Sequence, residues 1–86
     1  MDLEKFLQLA KLGVVTVEFK RVDTGEIRIM PCTLNPSLCN IVGSKPFPIS
    51  IANQSSSSDY ICVWAIDRGE WRDFKVDTVI RWYSGY

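Results

Sequence analysis

Histidine is absent from this 86-residue sequence, and cysteine occurs only three times, at Cys32, Cys39 and Cys62. The first absence removes the commonest metal ligand and the commonest general base at neutral pH. An odd cysteine count without a Cys-x-x-Cys pair argues against a disulfide framework or a structural zinc site. The thiols are read instead as small, reduced, buried hydrophobes, with pairing of Cys32 and Cys39 under oxidation left open. A surplus of either charge is also lacking, since ten Lys and Arg balance ten Asp and Glu. Affinity for bulk nucleic acid or an anionic membrane needs a cationic surplus, so only a local basic patch could supply it. The hydrophobic runs are too short and interrupted to cross a bilayer, and the first residues lack the basic flank and apolar core of a signal peptide. The expectation is a soluble, intracellular protein.

Catalytic signatures are missing in the same way. There is no P-loop, no Gly-x-Ser-x-Gly and no cysteine with an evident base partner. Asp67, Glu70, Asp73 and Asp77 cluster in sequence, but carboxylates beside turns are normally solvated. The chain is therefore expected not to be an enzyme and to need no cofactor or metal.

Apolar residues make up 47% of the chain, enough for one small domain over residues 1–86. A helix is expected over 2–12. Leu3, Phe6, Leu7 and Ala10 fall on one face, Leu9 and Leu12 widen it, Asp2 caps the start and Gly13 ends it. So short a helix must dock on something, either its own sheet or a second copy. From Val14 the period becomes two. Val15, Val17 and Phe19 alternate with Thr16, Glu18 and Lys20, predicting a strand with one wet face. Asp23-Thr24-Gly25 turns the chain, and a return strand completes a first hairpin over 14–34. Within that strand, Ile27 and Ile29 share one side while Met30, Cys32 and Leu34 share the other, which predicts a bulge or bend beside Pro31. Pro36-Ser37-Leu38 starts a single helical turn. Residues 35–59 otherwise read as a long irregular loop, with a short strand at Phe47, Ile49 and Ile51 and a flexible tip at Ser55 to Ser58.

The C-terminal hairpin and last strand occupy 60–82. Tyr60, Cys62, Trp64 and Ile66 alternate with Ile61, Val63 and Ala65, so the strand is apolar on both faces and belongs in the middle of a sheet. Asp67-Arg68-Gly69-Glu70 forms the turn, and Asp77-Thr78 turns the chain again into Val79 to Trp82. The alternation assigns Cys62, Trp64, Ile66, Phe74 and Val76 to the core. The fold class expected is mainly β with one N-terminal helix, a small barrel of about five antiparallel strands on which the helix packs.

Cys-Thr-Leu-Asn-Pro-x-Leu at Cys32 to Leu38, followed by Val-Trp-x-x-Asp-x-x-x-x-Trp-Arg-x-Phe-x-Val-Asp-x-Val at Val63 to Val79, resembles a family of small tailed-phage proteins with an SH3-like barrel. The second half also resembles the core of WYL domains, though the Trp-Tyr-Leu signature is absent. The resemblance covers residues 14–82. It implies an SH3-like barrel and a viral origin, and with no signal peptide or transmembrane segment in the sequence the expected location is the host cytoplasm.

Small barrels bind through loops and through strips of aromatic and basic side chains. Arg68, Trp71, Arg72, Arg81, Trp82 and Tyr83 are the candidate partner-binding residues, because arginine and large aromatics dominate interface hot spots. A barrel of this size cannot bury three tryptophans fully, so at least one is expected at the surface. The first reading is a phage protein that binds and modulates a host protein in takeover or counter-defence. A nucleotide-signal or single-stranded nucleic-acid module is the alternative, with aromatics stacking on bases and arginines holding phosphates. A third is a structural module that assembles into a homo-oligomer through its edge strands.

Overall fold

Asp2 starts the first element by accepting the Lys5 amide on its Oδ1 at 3.1 Å, and helix α1 (Leu3–Leu12) follows. The computed structural model describes residues 2–39, 57 and 59–85. Leu3, Phe6, Leu7 and Ala10 are buried, as their spacing requires, but Leu12 is exposed rather than part of that face. Gly13 then passes directly into extended backbone, and its amide closes the helix on the Leu9 carbonyl.

Five antiparallel strands follow: β1 (Val14–Lys20), β2 (Ile27–Thr33), β3 (Tyr60–Ala65), β4 (Glu70–Lys75) and β5 (Val79–Ser84). They form one sheet in the order β4-β3-β2-β1-β5. The chain is thus mainly β with one N-terminal helix, consistent with a small SH3-like barrel. Helix α1 packs against β1, β2 and β5, covering the apolar side of Val15, Val17, Met30 and Cys32, which are fully buried. Single helical turns at Pro36–Leu38 and Val76–Thr78 steer the chain after β2 and between β4 and β5. The expected strand at Phe47, Ile49 and Ile51, all of the serine tip except Ser57, and Tyr86 lie outside the described residues.

Three expectations about the strands need correction. The first concerns β2, which pairs with β1 without interruption from Ile27 to Thr33. There is no slip at Pro31. Ile27 and Ile29 simply face outward, 62% and 58% exposed, and the register shift lies instead between Glu18 and Phe19 against β5. Pro31 has its own place in this pattern. Its carbonyl accepts the Ile66 amide at 3.0 Å, on the side facing β3. A strand residue directs its N–H and C=O to the same side, so the missing proline donor limits pairing there. The paired β2 and β3 residues are only Cys32 with Ala65 and Thr33 with Trp64.

The second correction concerns β3. Ile61, Val63 and Ala65 are fully buried, whereas Cys62 and Ile66 are half-buried. A strand apolar on both faces carries no phase information, and the set that joins the core is the one opposite to the set alternation favoured. Trp64 is still buried, 6% exposed, because it meets Trp71 edge to face from the neighbouring strand. Phe74 lies in the core opposite Ile61, while Val76 only packs against its margin. The third correction concerns β1, whose supposedly wet face is covered: Thr16 and Glu18 are both buried. The Thr16 hydroxyl donates to the Gly85 carbonyl at 2.6 Å, which satisfies it without water.

Candidate functional site

Two hairpin turns meet at one end of the barrel. The first is closed by the Arg21 amide on the Glu26 carbonyl and the Gly25 amide on the Arg21 carbonyl, with Gly25 at a φ of 74° that side chains disfavour. The second is closed by the amides of Arg68 and Gly69 on the Ala65 carbonyl, with Gly69 at a φ of 65°. An ion pair of 3.1 Å from Arg28 on β2 to Asp67 in the second turn joins them. Between these parts lies a hollow of about 350 Å³ lined by Phe19, Arg21, Arg28, Met30, Arg68, Arg72 and Asp73.

Four arginines therefore line one hollow between the β1–β2 hairpin and the β3–β4 turn with β4. Their charge is partly answered from within the chain. Arg21 reaches Asp23 at 3.0 Å, Arg28 reaches Asp67, and Arg72 pairs with Glu70. Arg68 has no ion pair among the described residues. The hydrogen bond from Arg21, aided by its charge, holds the Asp23 carboxyl below its usual value. Fully buried Met30 and the nearly buried Phe19 form an apolar base beneath the arginines. Such a site suits an anion, and planar guanidinium groups match phosphate and carboxylate oxygens in paired hydrogen bonds.

The WYL_2 family model, described as an Sm-like SH3 beta-barrel fold, matches residues 3–80. The chain belongs to this family. The match takes in helix α1 as well as the strands, so the helix is part of the WYL_2 unit and not an appendage to it. No curated protein and no solved structure matches the chain. Among the described residues, no helix is long and apolar enough to cross a membrane.

The WYL_2 barrel divides the sequence-predicted site residues. Arg68 and Arg72 stand together at the hollow. Trp71 lies across from Trp64 with its ring 5.2 Å away, half-buried and packed against the core. On β5, at the other edge of the sheet, Trp82 meets the Phe6 ring edge to face at 5.3 Å, which makes it a clasp for the helix. None of the three tryptophans stands fully exposed, since each leans on another ring or on the core. Arg81 donates to the Glu18 carboxylate at 2.6 Å, and the adjacent Tyr83 is 39% exposed. Sequence reasoning missed Arg21 and Arg28, which lie in the first hairpin some 40 residues before Arg68. Their only sequence signal was position, since both flank a turn whose partner turn also carries an arginine.

The cysteines add no reactive group to this site. None of the three is in a disulfide, and burial pushes each thiol above its ordinary value. Cys32 is driven furthest, to about 12, by burial and then by the charge of Asp67. A thiol held protonated is a poor nucleophile.

Proposed function

We propose that this protein is a binding module that takes a phosphate-bearing ligand, of the nucleotide or nucleic-acid class, at its arginine-walled hollow. One observation carries the reading: Arg21, Arg28, Arg68 and Arg72, from both hairpins, line a single hollow with an apolar base. A chain with no net charge gains little from long-range attraction, so concentrating arginines at one place is the way it can hold an anion. Three of the four are engaged by Asp23, Asp67 and Glu70, so a ligand must outcompete internal carboxylates. That favours a multiply charged phosphate over a carboxylate or chloride. The resemblance to small tailed-phage proteins supports a viral origin and a place of action in the host cytoplasm.

A thermal-shift series tests this at constant ionic strength. Pyrophosphate and nucleoside diphosphates should raise the unfolding midpoint, sulfate and acetate should do so much less, and the variant Arg68→Gln should lose the rise. A flat response to every phosphate compound removes the reading.

A second reading, modulation of a host protein, is favoured by Ile27 and Ile29. Both project from β2 into solvent and, with Arg28 and Arg68, line a shallow hollow next to the first. Exposed apolar side chains beside arginine have the composition of an interface centre. A partner retained from host extract by the parent chain should be lost with Ile27→Asp and Ile29→Asp combined. Recovery of no specific partner by the parent chain counts against this reading.

A further inference from the structure

Strand β2 outruns its neighbour. β3 pairs with it only at Cys32 and Thr33, and the last contact is the Ile66 amide on the Pro31 carbonyl. The chain then leaves the edge, because Arg68 and Gly69 both donate to the Ala65 carbonyl and begin the turn into β4. Strand residues two apart direct their N–H and C=O groups to the same side. Ile27 and Ile29 therefore aim theirs where Pro31 aims its carbonyl, away from β1. The first hairpin has the same parity: the Arg21 amide bonds to the Glu26 carbonyl, so Arg28 and Met30 are the residues that bond to β1. No backbone partner meets Ile27 or Ile29 on the open side among the described residues.

A sheet edge of this kind is a template for another strand, and proteins normally blunt it with charge or cover it. Here it carries two isoleucines that project into solvent. Arg28 lies between them and points to the opposite face, the one to which its β1 partner Phe19 belongs. Both isoleucines, Arg28 and Arg68 line one shallow hollow of about 240 Å³ along this edge. The period of two then prescribes an occupant. A strand laid here sets alternate side chains beside the isoleucines and the intervening ones toward the arginines. A second copy of this edge centred on Arg28 would set two arginines against each other, so charge favours an acidic partner. We propose that the open edge of β2 takes an extended segment of a partner protein, added antiparallel, with apolar residues opposite Ile27 and Ile29 and an acidic residue opposite Arg28. Its main chain supplies hydrogen bonds to the two isoleucines, and its carboxylate meets Arg28 and Arg68. This rests on the partner-binding reading of Ile27 and Ile29 above and names the chemistry of the partner.

Fluorescence polarisation of the full chain with labelled peptides tests it. The panel is Ser-Val-Asp-Val-Glu-Val-Ser and its counterparts with Ile, Leu or Phe in place of Val. The best of them should weaken about 10-fold or more when its acids become Lys, the order expected for hydrogen bonds to charged groups. Methylating the amide nitrogens of its apolar residues should abolish binding, whereas methylating those of its acidic residues should leave it unchanged. Arg68→Gln should weaken binding, and Ile29→Pro should abolish it by removing an edge amide. Circular dichroism checks that these variants fold, and the methylated peptides test strand pairing on the parent chain alone. Binding indifferent to methylation at either set overturns the strand mode. If no peptide of the panel binds, the edge proposal falls, while the partner-binding reading is judged separately by the Ile27→Asp and Ile29→Asp capture experiment. A concentration-dependent dimer in sedimentation, lost with Ile29→Pro, replaces the peptide with a second copy.

Discussion

Arg81 on β5 donates its Nε proton to Glu18 on β1 across a distance of 2.6 Å, and this contact decides what Arg81 is for. Glu18 is the one charged residue buried among the described residues, with 7% of its surface exposed, whereas the arginine lies over it from the solvent side. The pair sits where the β1–β5 register shifts, with Glu18 opposite Arg81 and Phe19 opposite Val79, so Ile80 is the additional residue of a bulge. The bulge and the ion pair hold each other in place.

Arg81→Ala should therefore lower the urea midpoint of unfolding, because it strands a buried carboxylate. Restoring neutrality with Glu18→Gln in the same chain should recover part of the loss. Equal midpoints for the parent and Arg81→Ala would show that the pair contributes nothing. Phosphate binding should be the same in both chains, since Arg81 is absent from the hollow.

The helix is held by aromatic edges. Phe6 is fully buried, and its ring meets Phe74 at 5.8 Å and Trp82 at 5.3 Å, both nearly perpendicular. Phe6→Ala should cost about 3–5 kcal/mol, the range for emptying a buried aromatic site. Trp82→Ala should cost less, since Trp82 is only partly buried. Tryptophan fluorescence should register the loss of α1 docking in the Phe6 variant, and a loss below about 1 kcal/mol would mean that the helix is not clasped there.

How much of this was legible in the sequence depended on whether a pattern had a phase. The α1 periodicity, the Asp2 cap and the turns at Gly25 and Gly69 each prescribe one local geometry, and each is present. Tyr60 to Ile66 is apolar at every position except for the tyrosine hydroxyl and the cysteine thiol, so either face could have turned to the core, and Ile61, Val63 and Ala65 are the set that did. Thr16 and Glu18 looked wet because polarity was taken for exposure. What covers them is β5, a long-range partner more than 60 residues away. The hollow was half legible for the same reason. Arg68 and Arg72 neighbour each other in sequence, but Arg21 and Arg28 reach them only through the barrel.

Cys32 gives the fold a pH dependence with a defined sign. Its thiol is held protonated to about 12 in the native state, against an ordinary value of 9.0. Between those values the unfolded chain releases the proton and the native chain keeps it, so unfolding is increasingly favoured as pH rises. The contribution is intact below about pH 9 and is lost progressively toward pH 12. Unfolding midpoints measured from pH 8 to 11 should fall more steeply for the parent than for Cys32→Ala. Parallel slopes would refute this. In the same preparations a thiol reagent should label Cys62 and Cys39 before Cys32, which is fully buried.

The carboxylates around the hollow provide a test opposite in sign to the arginine variants. Asp67 and Glu70 hold Arg28 and Arg72 in the free protein, and a phosphate reaching those guanidinium groups must displace or share them. Asp67→Asn and Glu70→Gln should each tighten pyrophosphate binding, while Arg28→Gln and Arg72→Gln weaken it. The gain should be greater for Asp67→Asn. Arg28 is the more enclosed arginine, with 20% of its side chain exposed against 50% for Arg72, so its charge is less screened once released. Asp67→Asn also removes the tie between β2 and the second turn, so it should loosen that turn while it tightens the ligand. Amide exchange at Arg68 and Gly69, whose N–H groups both bond to the Ala65 carbonyl, reads the first effect, and calorimetric titration reads the second. If these carboxylate changes weaken binding as the arginine changes do, the acids support the site instead of competing for it, and the ligand does not take the place they occupy.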